Sequence, residues 1–339
     1  MAGTSGGSSK ERTTDMILLR VPGTTPWRSR ATYNIIECSL AKKWKKMRAI
    51  HASTESDLFA RLARRGSDPH RTFVFNIAEY LDEKRKCGFL PDILEAWGYL
   101  HLGSSAATVR MGLDKGRTKE ILNRLGIPTP RFFVAQPGHP DLLNQATAIG
   151  FPLFVKPLRE GGHRGVSQNS IVRDIETLER VVEHVFRRHH QPAMVEGFIG
   201  EKEAREFSVG IVDSKTRFYF PIEIDWDSMD CEERILSEDR ARRGAVRVKP
   251  VKDRGLRGVL REMAGRTFDA VGAKDYARID IRADSRGLFV LEINIMPGLG
   301  PGSFLPRAAF ELLGIDHGDM IRRIAAESMS RQGFVEPVG

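Results

Sequence analysis

The sequence predicts a mixed α/β and α+β protein of three lobes, and three observations carry that expectation. In the first third, short apolar runs alternate with helical spacing, the pattern of a mainly parallel sheet covered by helices. From about residue 130 the texture turns to short strands, glycine-rich turns and long charged connections. Late in the chain, two strands of alternating polarity are joined by a tight turn, the signature of an antiparallel hairpin. The expected parts are a polar disordered leader over 1–15, an N-terminal α/β lobe over 16–115, a small central lobe over 116–199, and a C-terminal lobe with an antiparallel sheet over 200–330.

The elements follow in order. MILLRV at 16–21 is a first strand and FVFNI at 73–77 another, with AEYLDEKRKCG after it as a loop. Between them Ile35, Ile36, Leu40 and Trp44 recur at helical spacing, with the lysines of KKWKK on the solvated side. PDILEAWGYL is a helix ending at Gly98, and residues 101–130 are a turn followed by helical segments that Gly126, Pro128 and Pro130 end. RFFVA, FPLFVKP and SIVRD read as short strands. ETLERVVEHVFRRH is an amphipathic helix carrying Leu178, Val181, Val182 and Val185, with His189 and His190 as charges at its C-terminal end. PAMVEGFI, EFSVGIV and RFYFPIEI are further strands. A charged segment over 225–250, a helix around 253–271, the strands YARIDIRAD and LFVLEINI, and a helical tail complete the chain, with no internal repeat.

Composition excludes several classes. Hydrophobic residues at 41% and charged residues at 29% are ordinary for a globular enzyme, and no run approaches a membrane span. The leader lacks the apolar stretch of a secretion signal. Cys38, Cys87 and Cys231 are odd in number and without metal-type spacing, which points to reduced thiols and a cytoplasmic setting. The net charge of +9 gathers at Lys42, Lys43, Lys45, Lys46 and Arg48, and again at Arg240, Arg242 and Arg243. With no recognised nucleic-acid module and only 8% aromatic residues, this charge reads as solvated helix faces and a site for an anionic substrate such as a nucleotide triphosphate, with neither nucleic acid nor membrane as partner.

Three stretches carry chemistry. In ARIDIRADSRGLFVLEINI, Ile279 and Ile281 face a core while Arg278, Asp280 and Arg282 point the other way. Glu292 and Asn294 share one face of the next strand, and Phe289, Leu291 and Ile293 the opposite one. The turn ADSRG brings Asp280 near Glu292. Two carboxylates and an amide oxygen on one sheet face are hard ligands suited to magnesium bridging nucleotide phosphates. In FPLFVKPLREGGHRGVS, a strand delivers Lys156, and Arg159 and Glu160 lead into Gly161, Gly162 and Gly165, whose backbone can cradle a phosphate. The loop alone matches neither the P-loop nor the dinucleotide fingerprint, and a plain glycine-rich turn is its competing reading. In PAMVEGFIGEKEAREFSVGIV, Glu196 and Phe198 end an apolar strand that offers a base backbone groups and an apolar wall, while Glu206 is placed to accept from ribose hydroxyls.

In this order the three stretches resemble the D-alanine–D-alanine ligases of the ATP-grasp superfamily over roughly residues 73–330. The pieces that carry the resemblance are LGSSAATVRMGLDKGRTKEILNRLGIPTP, FPLFVKPLREGGHRGVS, EGFIGEKEAREFSVGIV, ARIDIRAD and LEINIMPGLGPGSFLP. The resemblance implies a three-lobe ATP-grasp architecture with ATP held between two lobes. It implies that Lys115 and Lys156 contact phosphates with Glu160, Gly161 and Gly162, that Glu196, Gly197, Phe198 and Ile199 form the adenine hinge, and that Glu206 binds ribose. It further implies that Asp280, Glu292 and Asn294 hold two magnesium ions, manganese being able to substitute, and that Arg278 stabilises the tetrahedral transition state. Gly298 and Ser303, in PGLGPGSFLP, match the acceptor-carboxylate site. The implied reaction joins a small carboxylate, activated as an acyl phosphate, to an amino-acid-like amine. The glycine loop and residues 225–250 are the implied lids, and a homodimer is the assembly common among similar ligases.

The departures from the family pattern fall on the donor side. Family members carry a glutamate after the first strand that grips the donor ammonium; RVPGTTPWRSRATYNIIE has no counterpart, Glu37 being ill placed. Serines of the family's glycine loop are replaced by Gly162 and His163, and its lid Lys-Tyr pair by Arg234 and Ile235. His163 is either a substrate contact or proton carrier, or a loop residue in place of serine; Arg234 keeps the charge of its counterpart without its geometry. The expectation is a ligase with a carboxylate donor of its own. Its rivals are a D-alanine–D-alanine ligase with a rearranged donor site and a non-catalytic ATP-binding regulatory protein.

Overall fold

The protein is seen in a computed structural model that describes residues 15–334 apart from 24, 65, 201–202, 230–233 and 243–245. Most of the leader, Cys231, Arg243, the Arg242 side chain and part of the 225–250 segment lie outside the described residues. The chain divides into two compact units. The first takes the residues up to 24, Arg28–Leu102 and those from Gly318 on; the second takes Thr25–Trp27 and Gly103–His317.

The first unit is the α/β part. Strands β1 (Asp15–Arg20), β2 (Arg48–His51) and β3 (Thr72–Phe75), a hairpin of β4 (Tyr80–Asp82) and β5 (Cys87–Phe89), and β6 (Leu100–His101) come in turn. The sheet order is β2-β1-β3-β6, every pairing parallel. Met16, Ile17, Leu18 and Leu19 are all buried, as a parallel strand covered on both faces requires. Helices α1 (Arg30–Ala41), α2 (Glu55–Ala63) and α3 (Leu90–Ala96) accompany it. Three local expectations change. The anticipated loop after β3 holds the β4–β5 hairpin, because Leu81 and Phe89 have a core to enter. β2 and α2 were not anticipated: RAIH is too short and too polar at its ends to show alternation. The first helix stops at Ala41, so Ile35 is exposed and Trp44 is buried from the turn that follows.

The second unit holds two antiparallel sheets. Helices α4 (Ala106–Leu113) and α5 (Lys115–Arg124) lead in; the Asp114 carboxylate caps α5 by accepting from the Arg117 N–H at 3.2 Å. Strands β7 (Phe132–Ala135), β8 (Leu153–Pro157), β9 (Ile171–Val172) and β10 (Ala193–Gly197) pair in the order β7-β10-β8-β9. Helices α6 (Leu142–Ile149) and α7 (Ile175–His189) accompany them; Leu178, Val182 and Val185 of α7 join the core with Val155 and Val195, and α7 ends on a left-handed His190. The larger sheet has β11 (Arg205–Val212), β12 (Phe218–Ile224), β13 (Val248–Pro250), β14 (Tyr276–Asp284) and β15 (Gly287–Asn294), in the order β13-β12-β11-β14-β15. Helices α8 (Glu238–Arg242), α9 (Arg254–Ala270) and α10 (Phe304–Leu313) belong here. The last helix, α11 (His317–Arg331), counts almost wholly with the first unit, where Phe334 beyond it meets Phe73 edge-on at 5.9 Å. No helix among the described residues is long and apolar enough to cross a membrane.

One irregularity matters to the site. β14 and β15 pair Asp280 with Glu292, then Ile281 with Val290. The extra residue is Leu291, so alternation shifts by one beyond it. Val290 enters the core at 0% exposure, Leu291 borders the cleft, and Phe289, paired with Arg282, no longer shares the face of Ile293.

Candidate active site

Between the two sheets of the second unit lies a cleft bordered by Phe154, Lys156, His163, Glu196, Phe198, Glu206, Asp280, Arg282 and Glu292. Its floor is a network of buried cations and carboxylates. Lys115 and Lys119 stand one turn apart on α5, so both project to the same side. Lys156 reaches in from β8. Glu196 of β10 binds two of them, Lys156 at 2.7 Å and Lys119 at 2.9 Å, and Lys115 lies 3.7 Å from Glu292 and donates to the Glu160 carbonyl. Lys119 also donates to the Thr129 hydroxyl at 2.6 Å, which in turn donates to the Val290 carbonyl at 2.8 Å. Burial pushes Lys119 down to about 8 despite Glu196. It also lowers Lys115, against the pull of Glu292. For Lys156 the same burial cost is outweighed by Glu196 and Glu292, and its pKa rises. The Glu196 side chain thus anchors two of the three lysines.

The hairpin places the acids as the alternation requires. The Asp280 carboxylate accepts from Arg278 Nη2 at 2.7 Å and Nε at 2.9 Å, from the Ser208 hydroxyl at 2.6 Å and from Asn294 Nδ2 at 3.0 Å. Asn294 Nδ2 also approaches Glu292 at 3.5 Å, so one amide holds the two carboxylates together. Burial opposes ionisation of Glu292, but Lys115, Lys156, His163 and Arg278 outweigh it and pull the group down to about 2. No group of three His, Cys, Asp or Glu suited to a metal occurs among the described residues, where Asp280 and Glu292 are the two carboxylates and Asn294 the amide beside them. Two carboxylates and an amide fit a hard divalent cation, and Glu292 stays ionised to meet one.

Arg278 is fixed by its two bonds to Asp280 and by the Phe304 ring, 5.0 Å from its guanidinium carbon. His163, at φ +59°, faces Glu292, Arg278, Asp280 and Lys156. Burial lowers its pKa, and Glu292 opposes that shift. Glu206 pairs with Arg282 at 2.9 Å. The Phe154 and Phe198 rings are stacked 6.0 Å apart.

The glycine loop is tied to the second lid. Gly165 N–H donates to Glu238 Oε2 at 2.9 Å, and Glu238 N–H donates to the Val166 carbonyl at 3.0 Å. Gly162 and Gly165 take φ of +64° and +76°, where glycine alone is unstrained. Glu160 orders this loop: its carboxylate accepts from Gln191 Nε2 at 2.8 Å and pairs with Arg164 at 3.4 Å. Ser303 stands at the N-terminus of α10, and its hydroxyl lies where a side chain at Gly298 would go.

Some expected residues do other things. Arg234 pairs with Asp227 at 2.9 Å and donates to the Ala204 carbonyl; its neighbours Ile235 and Leu236 border the cleft. The N–H groups of Gly197 and Phe198 are spent on the Arg131 and Pro152 carbonyls. Glu37 is bound to Arg20 at 2.6 Å within the first unit. Three residues were missed. Lys119 was signalled by its spacing of four from Lys115. Arg282 shares the polar face of Arg278 and Asp280. Trp27 had no sequence signal; its ring touches Gly162, and its Cβ sits where a side chain at Gly298 would go.

The sequence profile of the family described as "D-ala D-ala ligase C-terminus" matches residues 121–326. A D-alanine–D-alanine ligase of Ectopseudomonas mendocina is 29% identical over 247 residues, 73% of this chain and 75% of that protein. One of Chromohalobacter salexigens is 30% identical over 239 residues, 70% and 72% of the two chains. The fold is similar to a D-alanine–D-alanine ligase of Bacillus anthracis solved with ATP, with a TM-score of 0.73 at 22% identity, covering 94% of this chain and 99% of that one.

Proposed function

Because this chain belongs to the D-alanine–D-alanine ligase family, and is thereby an ATP-dependent ligase, we propose that its cleft phosphorylates a small carboxylate and passes the acyl group to an amino-acid-like amine. The observation that carries this is the convergence of Lys115, Lys119 and Lys156 with Asp280, Glu292 and Asn294 in one cleft of the second unit. Lys115 and Lys156 bear on the phosphates as point charges, and Glu196 with Lys119 behind them keeps Lys156 charged and aimed. Phe154 and Phe198, stacked on each other, give the base an apolar wall, and since the Gly197 and Phe198 N–H groups are already committed, the hinge contact to the base falls to Ile199. Asp280, Glu292 and Asn294 would hold magnesium, two ions in this reading, which when bound neutralises phosphate charge.

Arg278, held rigid by Asp280 and Phe304, supplies fixed positive charge to the oxyanion that forms when the amine attacks the acyl carbon. His163 borders the cleft with Asp280 and Glu292 and is the group we assign to take the proton that the attacking amine sheds. The glycine loop and the Glu238 segment, already bonded to each other, exclude the water that would hydrolyse an acyl phosphate. Ser303 and the N-terminus of α10 receive the acceptor's carboxylate. The donor is a carboxylate other than D-alanine: Glu37 is engaged by Arg20, and Trp27 occupies the ground between Gly162 and Gly298.

ADP release measured over a matrix of carboxylates and amines, D-alanine included, tests the proposal. One pair is expected to stimulate release, and Asp280→Asn to cut that rate by about a thousand-fold, the scale of losing a preorganised electrostatic contact. Turnover with D-alanine alone would return the donor to the family's own substrate, and silence across the whole matrix with ATP still bound would sink the ligase reading.

A further inference from the structure

Arg282 has no part in the chemistry described above, yet it lies in the same cleft. β14 alternates, so Arg278, Asp280 and Arg282 present their side chains on one face. Arg278 and Asp280 take the end where the acids meet Asn294. Arg282 is two residues along, roughly 7 Å away at strand spacing, at the end bordered by Phe198, Ile199 and Glu206. Its side chain is 6% exposed.

An arginine cannot escape burial by losing its proton, so its charge must be met where it lies. Among the described residues it meets Glu206 Oε2, which accepts from Nη1 at 2.9 Å, and the rings of Phe198 and Trp226, 5.4 Å and 6.0 Å from the guanidinium carbon. The register makes the pair obligatory, because β11 and β14 set Glu206 directly opposite Arg282. Phe198 is the same ring that stacks on Phe154. A carboxylate aimed by an arginine, next to stacked aromatic rings and an apolar wall of Ile199, Ile235 and Leu236, is a site for a nucleoside, with a planar cation in its lining.

Resting on the reading that this cleft takes ATP, we infer that Arg282 is a nucleoside-binding residue: its guanidinium borders the base and aims Glu206 at the ribose hydroxyls. The phosphates are the business of the lysines at the other end. The two ends can therefore be separated by ligand. Loss of Arg282 weakens whatever carries a base and ribose and leaves a bare phosphate chain unaffected. A merely structural ion pair would weaken both alike.

Calorimetric titration of ADP, 2′,3′-dideoxy-ADP and tripolyphosphate into wild type, Arg282→Met, Arg282→Lys and Glu206→Gln tests this. Arg282→Met is expected to raise the Kd for ADP about ten-fold, the scale of one hydrogen bond to a charged group, and to leave tripolyphosphate unchanged. Its effect should shrink for the dideoxy nucleotide, and Glu206→Gln should make it smaller still for ADP, because the two side chains act as one unit. Arg282→Lys, which keeps the charge without the plane, should fall between. In steady state the loss should appear in KM for ATP, with kcat within about two-fold, as expected for binding shared by ground and transition states. If Arg282→Met does not fold, Arg282→Lys alone decides, and wild-type ADP affinity in that variant overturns the inference. Equal weakening of ADP and tripolyphosphate overturns it as well. Wild type failing to bind ADP would instead overturn the nucleotide reading beneath it.

Discussion

Gly298 sits where a single methyl group would meet two neighbours at once. An alanine Cβ there would come within 2.8 Å of both Ser303 Oγ and Trp27 Cβ, closer than any relaxed contact. Backbone conformation is not the obstacle, since Gly298 is absent from the positive-φ positions among the described residues. The demand is spatial, and it links Ser303 to an indole that also fills the space beside Gly162. Gly298→Ala is therefore expected to push Ser303 or Trp27 aside, at a cost of about 1–3 kcal/mol for overpacking. The measurable outcome is a KM for the amine raised about ten-fold with KM for ATP unchanged, the ten-fold corresponding to about 1.4 kcal/mol. An unchanged amine KM would show that these contacts do not shape the acceptor site.

Elements contribute direction and closure. The hairpin of β14 and β15 aims Arg278, Asp280, Glu292 and Asn294 together because alternation repeats every two residues and the turn sets the register. The bulge at Leu291 then re-aims one residue, supplying the cleft with an apolar side chain and the core with Val290. Glu238, at the start of α8, accepts from Gly165 and donates to Val166, and these two contacts join the glycine loop to the 225–250 segment. Glu238→Ala removes the first and keeps the second. Its expected signature is leakage: ADP formed per amide product rises above one, because a loosened lid admits water to the acyl phosphate. A ratio that stays at one would assign closure to other contacts.

At the scale of the whole molecule, the candidate site draws every described residue from the second unit, from Trp27 through Ser303. The first unit has a core of its own, built from Ile17, Leu19, Val74 and Leu94 among others. Nucleotide binding is thus expected to stabilise the two unequally. At a hundred-fold excess over Kd, ADP adds about 2.7 kcal/mol to the stability of the form that binds it. Hydrogen exchange read by mass spectrometry should show the added protection in residues 153–157, 193–212 and 276–294, and little in 15–20 or 48–51. Equal protection throughout would mean that the units open as one.

Much of the site was legible because its geometry is local. Asp280, Glu292 and Asn294 belong to two adjacent strands joined by a short turn, so periodicity alone put them side by side. Lys156 at a strand end and the glycines after it could be read the same way, as could the parallel first sheet and the antiparallel last one. What stayed hidden depends on contacts between distant segments. Glu196 reads as a hinge residue, and only the arrival of Lys119 and Lys156 shows it to be their anchor. Arg234 and Ile235 are neighbours in the chain, and which one faces the cleft is settled by Asp227 drawing the arginine away. Leu291 follows the alternation until the bulge breaks it, and Trp27 reaches Gly162 and Gly298 across more than a hundred residues of chain. The sequence by itself determined the family, the ligase chemistry and the acids of the hairpin, since period-two alternation and short turns fix side-chain direction within an element. Only the tertiary structure decided which buried charges pair, because that is settled where elements pack, and burial makes each unpaired charge too costly to leave.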